Sequence, residues 1–220
     1  MQKTGIETAW EKIRGLLAPG SGGGFPGLFG IAFENGAFKF RCLGMDFLIT
    51  PGDRTIRAAD ENGRAFLPRL SYFFNHFALW WLVCSSRGIP QASGRFSFLR
   101  PQELASAGAF SFFRGSHTLP LDALAGRYRS DCEGFSERAR DLGFLGPAPA
   151  GQIFNGTGDC SALLEPAPGF PVNILLWLED EEFPARAEVL VPSWAGVILP
   201  LDIVWCALML CLLPMLKNSQ

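Results

Sequence analysis

The 220-residue chain predicts an α+β fold with a single core: a short antiparallel β-meander and a mixed sheet packed against several helices. Three observations carry this. Residues 28 to 58 alternate apolar and polar side chains, as in Phe38-Lys39-Phe40-Arg41, between the turn sequences Glu34-Asn35-Gly36 and Pro51-Gly52-Asp53. Residues 67 to 84 are apolar almost all round, which suits a helix buried on most sides. The run Ile174-Leu175-Leu176-Trp177 is wholly apolar and of strand length, and it ends abruptly at four carboxylates, Glu179-Asp180-Glu181-Glu182.

The elements follow in order. Thr4-Gly5-Ile6-Glu7 reads as a capping box that opens a helix with apolar residues at helical spacing from Ile6 to Leu17. The Gly- and Pro-rich residues 18 to 27 read as a linker, so residues 1–27 form an N-terminal helix and linker and residues 28–220 one domain. These glycines follow a helix, with no Lys-Ser or Lys-Thr after them, which argues against a phosphate-binding loop. Beyond the buried helix come a strand over Arg95 to Leu99 and a helical turn begun by Pro101. Helices follow over Leu119 to Arg129, capped by Thr118, and over Cys132 to Leu142. Gly- and Pro-rich sequence then leaves room for at most one strand near Ser161 to Leu164. The strand to Trp177, another near Ala187 to Val191 and a helix from Leu201 complete the pattern.

Residues 197 to 216 hold 17 apolar residues in 20, close to the roughly 20 that span a bilayer. A membrane tail is thus one reading of this segment. Asp202 suits a helix N-terminus, and Pro214 would break the helix short of a full span. Both favour a helix over 201–213 that buries against the core or across a homodimer.

A formal net charge of −2, with both signs interspersed, provides no footprint for nucleic acid. The six cysteines are scattered without a CxxC pair, and several sit in apolar runs, so all six are expected as free thiols. With no signal peptide at the N-terminus, they point to a reducing cytoplasm.

Four carboxylates cannot be buried together unpaired, so the acidic run is expected at an exposed strand end. In an extended segment Glu179 and Glu181 would share one side and Asp180 and Glu182 the other, an arrangement that could meet a cation or a basic partner. The candidate ligand-binding residues are Trp177, Glu179, Asp180, Glu181, Glu182, Asp159, His76 and His117. His76 sits in the aromatic helix and His117 just ahead of the next. Neither has a second histidine at ligand spacing, and no metal site is predicted. No G-x-S-x-G or S-x-x-K occurs, so no catalytic nucleophile can be named.

The segments Pro171-Val172-Asn173-Ile174-Leu175-Leu176-Trp177, Glu179-Asp180-Glu181-Glu182-Phe183-Pro184-Ala185 and Ala187-Glu188-Val189-Leu190 resemble the C-terminal signature of domain of unknown function family 3786. Gly94-Arg95-Phe96-Ser97-Phe98, Gly158-Asp159 and Leu199-Pro200-Leu201-Asp202 recur in the family's order, and the resemblance spans residues 38 to 213. Glu179 replaces the family's usual Gly, and Val191-Pro192 stands where relatives carry an Asp. The leading reading is a cytoplasmic binding or accessory module, and the resemblance implies anaerobic corrinoid, one-carbon or redox metabolism as its setting. Some relatives carry an iron–sulfur-type cysteine motif that this chain lacks. A metal-dependent enzyme using the Glu179–Glu182 rim and a C-terminally anchored protein are the alternatives. The cofactor is not specified.

Overall fold

The computed structural model describes residues 5–18, 31–86, 97–143 and 158–217. The 18–27 linker lies almost wholly outside these, as do Thr4, Gly94, Arg95 and Phe96.

Helix α1 (Ile6–Leu16) buries Ala9, Trp10 and Ile13 against α2 and starts at Gly5, with no side-chain cap. The expected cap at Thr4 falls outside the described residues. An ion pair from Glu7 to Arg54 joins α1 to the first sheet.

That sheet is the predicted meander: β1 (Ala32–Glu34), β2 (Ala37–Cys42), β3 (Met45–Thr50) and β4 (Thr55–Ala58), antiparallel in the order β1-β2-β3-β4. Alternation points Phe38, Phe40, Phe47 and Ile49 into the core and Lys39, Arg41, Asp46 and Leu48 outward. The β1–β2 turn uses Asn35 and Gly36, both at positive φ, as an Asn-Gly hairpin should.

Helix α2 (Glu61–Ser85) begins six residues before the predicted start. Asp60 is the reason: one carboxylate oxygen accepts from Gly63 N at 2.6 Å and the other from Asp46 N at 2.7 Å, tying the helix start to β3. The helix carries Pro68 in its interior, where a break would ordinarily be expected. Its C-terminal half is buried on every side, and Phe77 and Trp81 pack with Phe170 while Trp81 also meets Trp194.

After β5 (Phe98–Leu99) and a 3-10 turn at Pro101–Glu103 come α3 (Ala109–Arg114), α4 (Leu121–Arg127) and α5 (Cys132–Asp141). The cap of α4 is Pro120, not Thr118, whereas Asp131 caps α5 through Gly134 N at 2.8 Å. Strands β6 (Cys160–Ala167), β7 (Phe170–Trp177) and β8 (Arg186–Pro192) complete a second sheet in the order β5-β8-β7-β6. Every pairing in it is antiparallel, which corrects the expectation of a mixed sheet. β7 lies between two partners and is buried on both faces, as its unbroken apolar run requires.

Helix α6 (Ala195–Ile198) leads into α7 (Leu201–Met215). Among the described residues no helix is long and apolar enough to cross a membrane. α7 packs against α2, with Ile203, Val204, Ala207, Leu208, Leu210, Cys211 and Leu212 each 0 % exposed. The chain's own core accounts for its apolar character. One cluster of buried side chains runs from Trp10 through both sheets to Met215.

The expectation of six free thiols is overturned for two: Cys132 and Cys160 form a disulfide, while Cys42, Cys84, Cys206 and Cys211 are buried and outside it. The first residue of α5 comes to lie beside the first of β6, with their Cα atoms 5.9 Å apart. Sequence spacing carries no sign of that neighbourhood.

Candidate functional site

The acidic run is exposed at the end of β7, where the cost of burying four carboxylates places it. It is a bent turn, not an extended segment, so the side-to-side alternation of its carboxylates does not arise. Asp180 Oδ1 accepts from Glu182 N at 2.8 Å and Phe183 N at 2.7 Å and so folds the turn on itself. Glu179 N donates to the Arg129 carbonyl at 2.8 Å, and its carboxylate lies 3.6 Å from the Arg129 guanidinium. Asp159 Oδ2 accepts from Leu178 N at 2.8 Å. Trp177 lies under Arg186, whose guanidinium carbon is 4.0 Å from the ring centroid. Asp159, Trp177 and the acidic turn therefore form one neighbourhood with structural bonds of its own.

The histidines lie elsewhere. His76 Nδ1 bonds the Tyr72 carbonyl at 2.8 Å, and its ring packs against that of Tyr72. His117 is half-buried, stacked on Phe112 at 3.9 Å and set edge-on to Trp205. Among the described residues no group of three or more His, Cys, Asp or Glu could hold a metal ion.

The structure assembles a different site that these residues do not touch. A cleft of ≈ 620 Å³ opens where the β2–β3 turn, the first half of α2, the end of α5 and the end of α7 meet. Its back wall is backbone against backbone: a Cβ on Gly143 would stand 2.8 Å from Gly44 N, and both glycines hold positive φ. Leu43 N donates to the Glu165 carbonyl at 3.0 Å, hooking the turn to β6. α2 presents Asn62, Ala65, Phe66 and Arg69, spaced as one helical face. From α5 come Arg138, Arg140, Asp141 and Leu142, and from α7 Pro214 followed by Lys217.

The charge of this lining is one-sided: Arg41, Arg69, Arg138, Arg140 and Lys217 against the single carboxylate of Asp141. Part of it serves the fold. Arg138 Nε donates to the Pro214 carbonyl at 3.0 Å and Nη1 lies 3.6 Å from Asp141, compensating the negative end of α7. Arg140 Nε donates to the Ser136 carbonyl at 3.3 Å. Arg41 lies 3.7 Å from Asp46, and its field helps hold the Asp60 carboxyl below its usual range, after the larger effect of the two backbone N–H groups. A guanidinium has five N–H donors, so these bonds do not saturate Arg138 or Arg140. Beneath the cations, Leu43, Met45, Phe66, Leu70 and Leu142 supply an apolar floor. Such an arrangement can hold a molecule with anionic groups and an apolar body.

The five cations are scattered from 41 to 217 in sequence, and singly each reads as a solvated surface charge. One signal was present: the helical stripe Asn62–Ala65–Phe66–Arg69 mixes donors with apolar groups on one face.

The family model described as domain of unknown function (DUF3786) matches residues 28–212. The chain belongs to this family. The match covers both sheets, the cleft residues other than Pro214 and Lys217, and the acidic turn, whereas α1 precedes it. No curated protein and no solved structure matches this DUF3786 chain.

Proposed function

We propose that this DUF3786 protein is a cytoplasmic binding module whose ligand is a small molecule bearing at least two phosphate or carboxylate oxygens, held in the basic cleft. One observation carries the reading: five cationic side chains face a single carboxylate in a cleft on a chain of net charge −2. Like charges brought together repel one another, and a bound anion relieves that repulsion while accepting charge-assisted hydrogen bonds. The apolar floor accounts for a ligand larger than a free ion. The family resemblance adds the anaerobic corrinoid, one-carbon or redox setting as the place to look for that ligand.

Inorganic pyrophosphate is the probe, titrated by calorimetry at low and high salt, with the Arg69→Gln/Arg140→Gln double variant as control. These two arginines leave the Arg138 bond to Pro214 intact. Saturable binding is expected, weakened by salt and reduced about tenfold or more in the variant, the worth of one or two charged hydrogen bonds. Equal binding by both proteins, or none by either, would remove the cleft as the site.

A further inference from the structure

We propose that Cys132 and Cys160 form a reversible thiol–disulfide exchange site, whose reaction partner is a dithiol. This goes beyond the cleft reading and does not depend on it.

The bond holds nothing that other contacts do not already hold. Asp131 caps α5 and Phe135 is fully buried beneath it, while Arg138 fastens its far end to Pro214. β6 is paired to β7 from Cys160 opposite Leu176 to Leu164 opposite Val172, and Asp159 adds its bond to Leu178. Both ends of the disulfide thus stay in place when it opens.

Cys42, Cys84, Cys206 and Cys211 are buried and lie outside the disulfide. Burial drives the Cys206 thiol up to about 12 and those of Cys42 and Cys211 well above the usual thiol range, so none of the three is a reactive thiolate near neutral pH. Buried thiols outside the disulfide suit a reducing compartment, where a disulfide at the surface is made and broken rather than permanent.

Cys132 is the first residue of a ten-residue helix and half-buried, whereas Cys160 is 5 % exposed. Access selects the Cys132 sulfur for attack. One thiolate of the dithiol attacks Cys132 Sγ; the new S–S bond forms, the Cys132–Cys160 bond breaks, and Cys160 leaves as a thiolate that takes a proton. The dithiol's second thiol, deprotonated, then attacks the dithiol's other sulfur in the mixed disulfide and closes the ring, and Cys132 leaves as a thiolate that takes a proton. Two electrons pass from the dithiol to the protein, and two protons leave the dithiol for the cysteines. The reverse sequence oxidises the pair.

The test equilibrates the full chain with a series of reduced-to-oxidised dithiothreitol ratios. Acid quenching and alkylation under denaturing conditions then count the thiols by peptide mass, while near-ultraviolet circular dichroism follows the fold. The expected result is a titration from four to six thiols, the added two mapping to Cys132 and Cys160, with the fold signal unchanged. A pair that stays oxidised until the protein unfolds is a permanent bridge, and a pair that stays reduced at every ratio never forms the bond; either overturns the proposal. In Cys160→Ser, native Cys132 is expected to form a mixed disulfide with neutral hydroxyethyl disulfide while the four buried cysteines do not. Equal inertness of all five would also overturn it.

Discussion

Gly143 and Gly44 stand back to back, so close that a Cβ on the first would meet the amide nitrogen of the second at 2.8 Å. Neither is a hinge. Each ends an element, α5 in one case and the β2–β3 turn in the other, and together they bring the arginines of α5 to the arginine of β2 across one cleft.

Gly143→Ala therefore meets two penalties, positive φ and a backbone collision, and is expected to cost about 2 to 4 kcal/mol in urea unfolding. Gly36→Ala is the matched control. It has the same backbone sign but open space around it, so only the conformational cost of about 1 to 2 kcal/mol applies. Equal losses at the two positions would show that the close approach contributes nothing.

Asp60 joins β3 to α2 through its two carboxylate oxygens, and its pKa is lowered first by the Asp46 and Gly63 amides, then by Arg41 and Arg64. A carboxyl depressed in the folded state stabilises above its unfolded pKa, and that stability is lost as pH falls through the folded value. Asp60→Ala is expected to cost about 1 to 2 kcal/mol at pH 7. The gap between wild type and variant should shrink below about pH 4, where the unfolded carboxyl begins to protonate. A gap independent of pH would mean that the charge of Asp60 is irrelevant to its role.

The acidic turn should tolerate loss of charge. Replacing Glu179 and Glu181 by Gln is expected to change stability by less than about 1 kcal/mol, since both are exposed and the contact to Arg129 is a surface pair. Asp180→Ala should cost more than that double change, because its carboxylate organises two backbone amides. Thermal unfolding of the three proteins orders them, and a larger loss in the double variant would point to an internal partner or a bound ion.

How much of this was legible depended on whether the cause was local. The Asn35-Gly36 turn, the buried helix ending at Ser85 and the exposed end of β7 each follow from a few adjacent residues, and each is where the sequence puts it. The Leu43-Gly44 turn was not legible, because Leu at positive φ is unfavourable by itself. Here the side chain is 1 % exposed, and burial offsets the backbone cost. α3 and α6 are too short for a periodic pattern to declare them. Asp159, Trp177 and the acidic turn do share a neighbourhood, held by the Leu178 and Arg129 bonds. The cleft and the disulfide are tertiary products: Arg41 meets Arg138, and Cys132 meets Cys160, only after both sheets and α5 have docked.

The most severe change is expected at the C-terminal helix. α7 is buried over most of its length, with a partly exposed stripe at Leu201, Trp205, Met209 and Leu213, and its end is fixed by polar bonds as well: Tyr128 Oη donates to the Met215 carbonyl at 2.6 Å and Arg138 to that of Pro214. Leu208→Ala leaves a cavity where nothing is exposed and should cost about 2 to 5 kcal/mol, the range for buried leucines. Tyr128→Phe removes one buried hydrogen bond and strands the Met215 carbonyl, for about 1 to 3 kcal/mol. Truncation after Leu199 removes α7 and uncovers the face of α2 beneath it, a loss of the order of 10 kcal/mol at ~25 cal/mol per Å² of apolar surface and comparable with the whole stability of a domain. The truncated chain should be insoluble or lack fixed tertiary packing by near-ultraviolet circular dichroism. A truncated chain that unfolds cooperatively would show that α7 is an appendage, and its burial against α2 would then have to be incidental to folding.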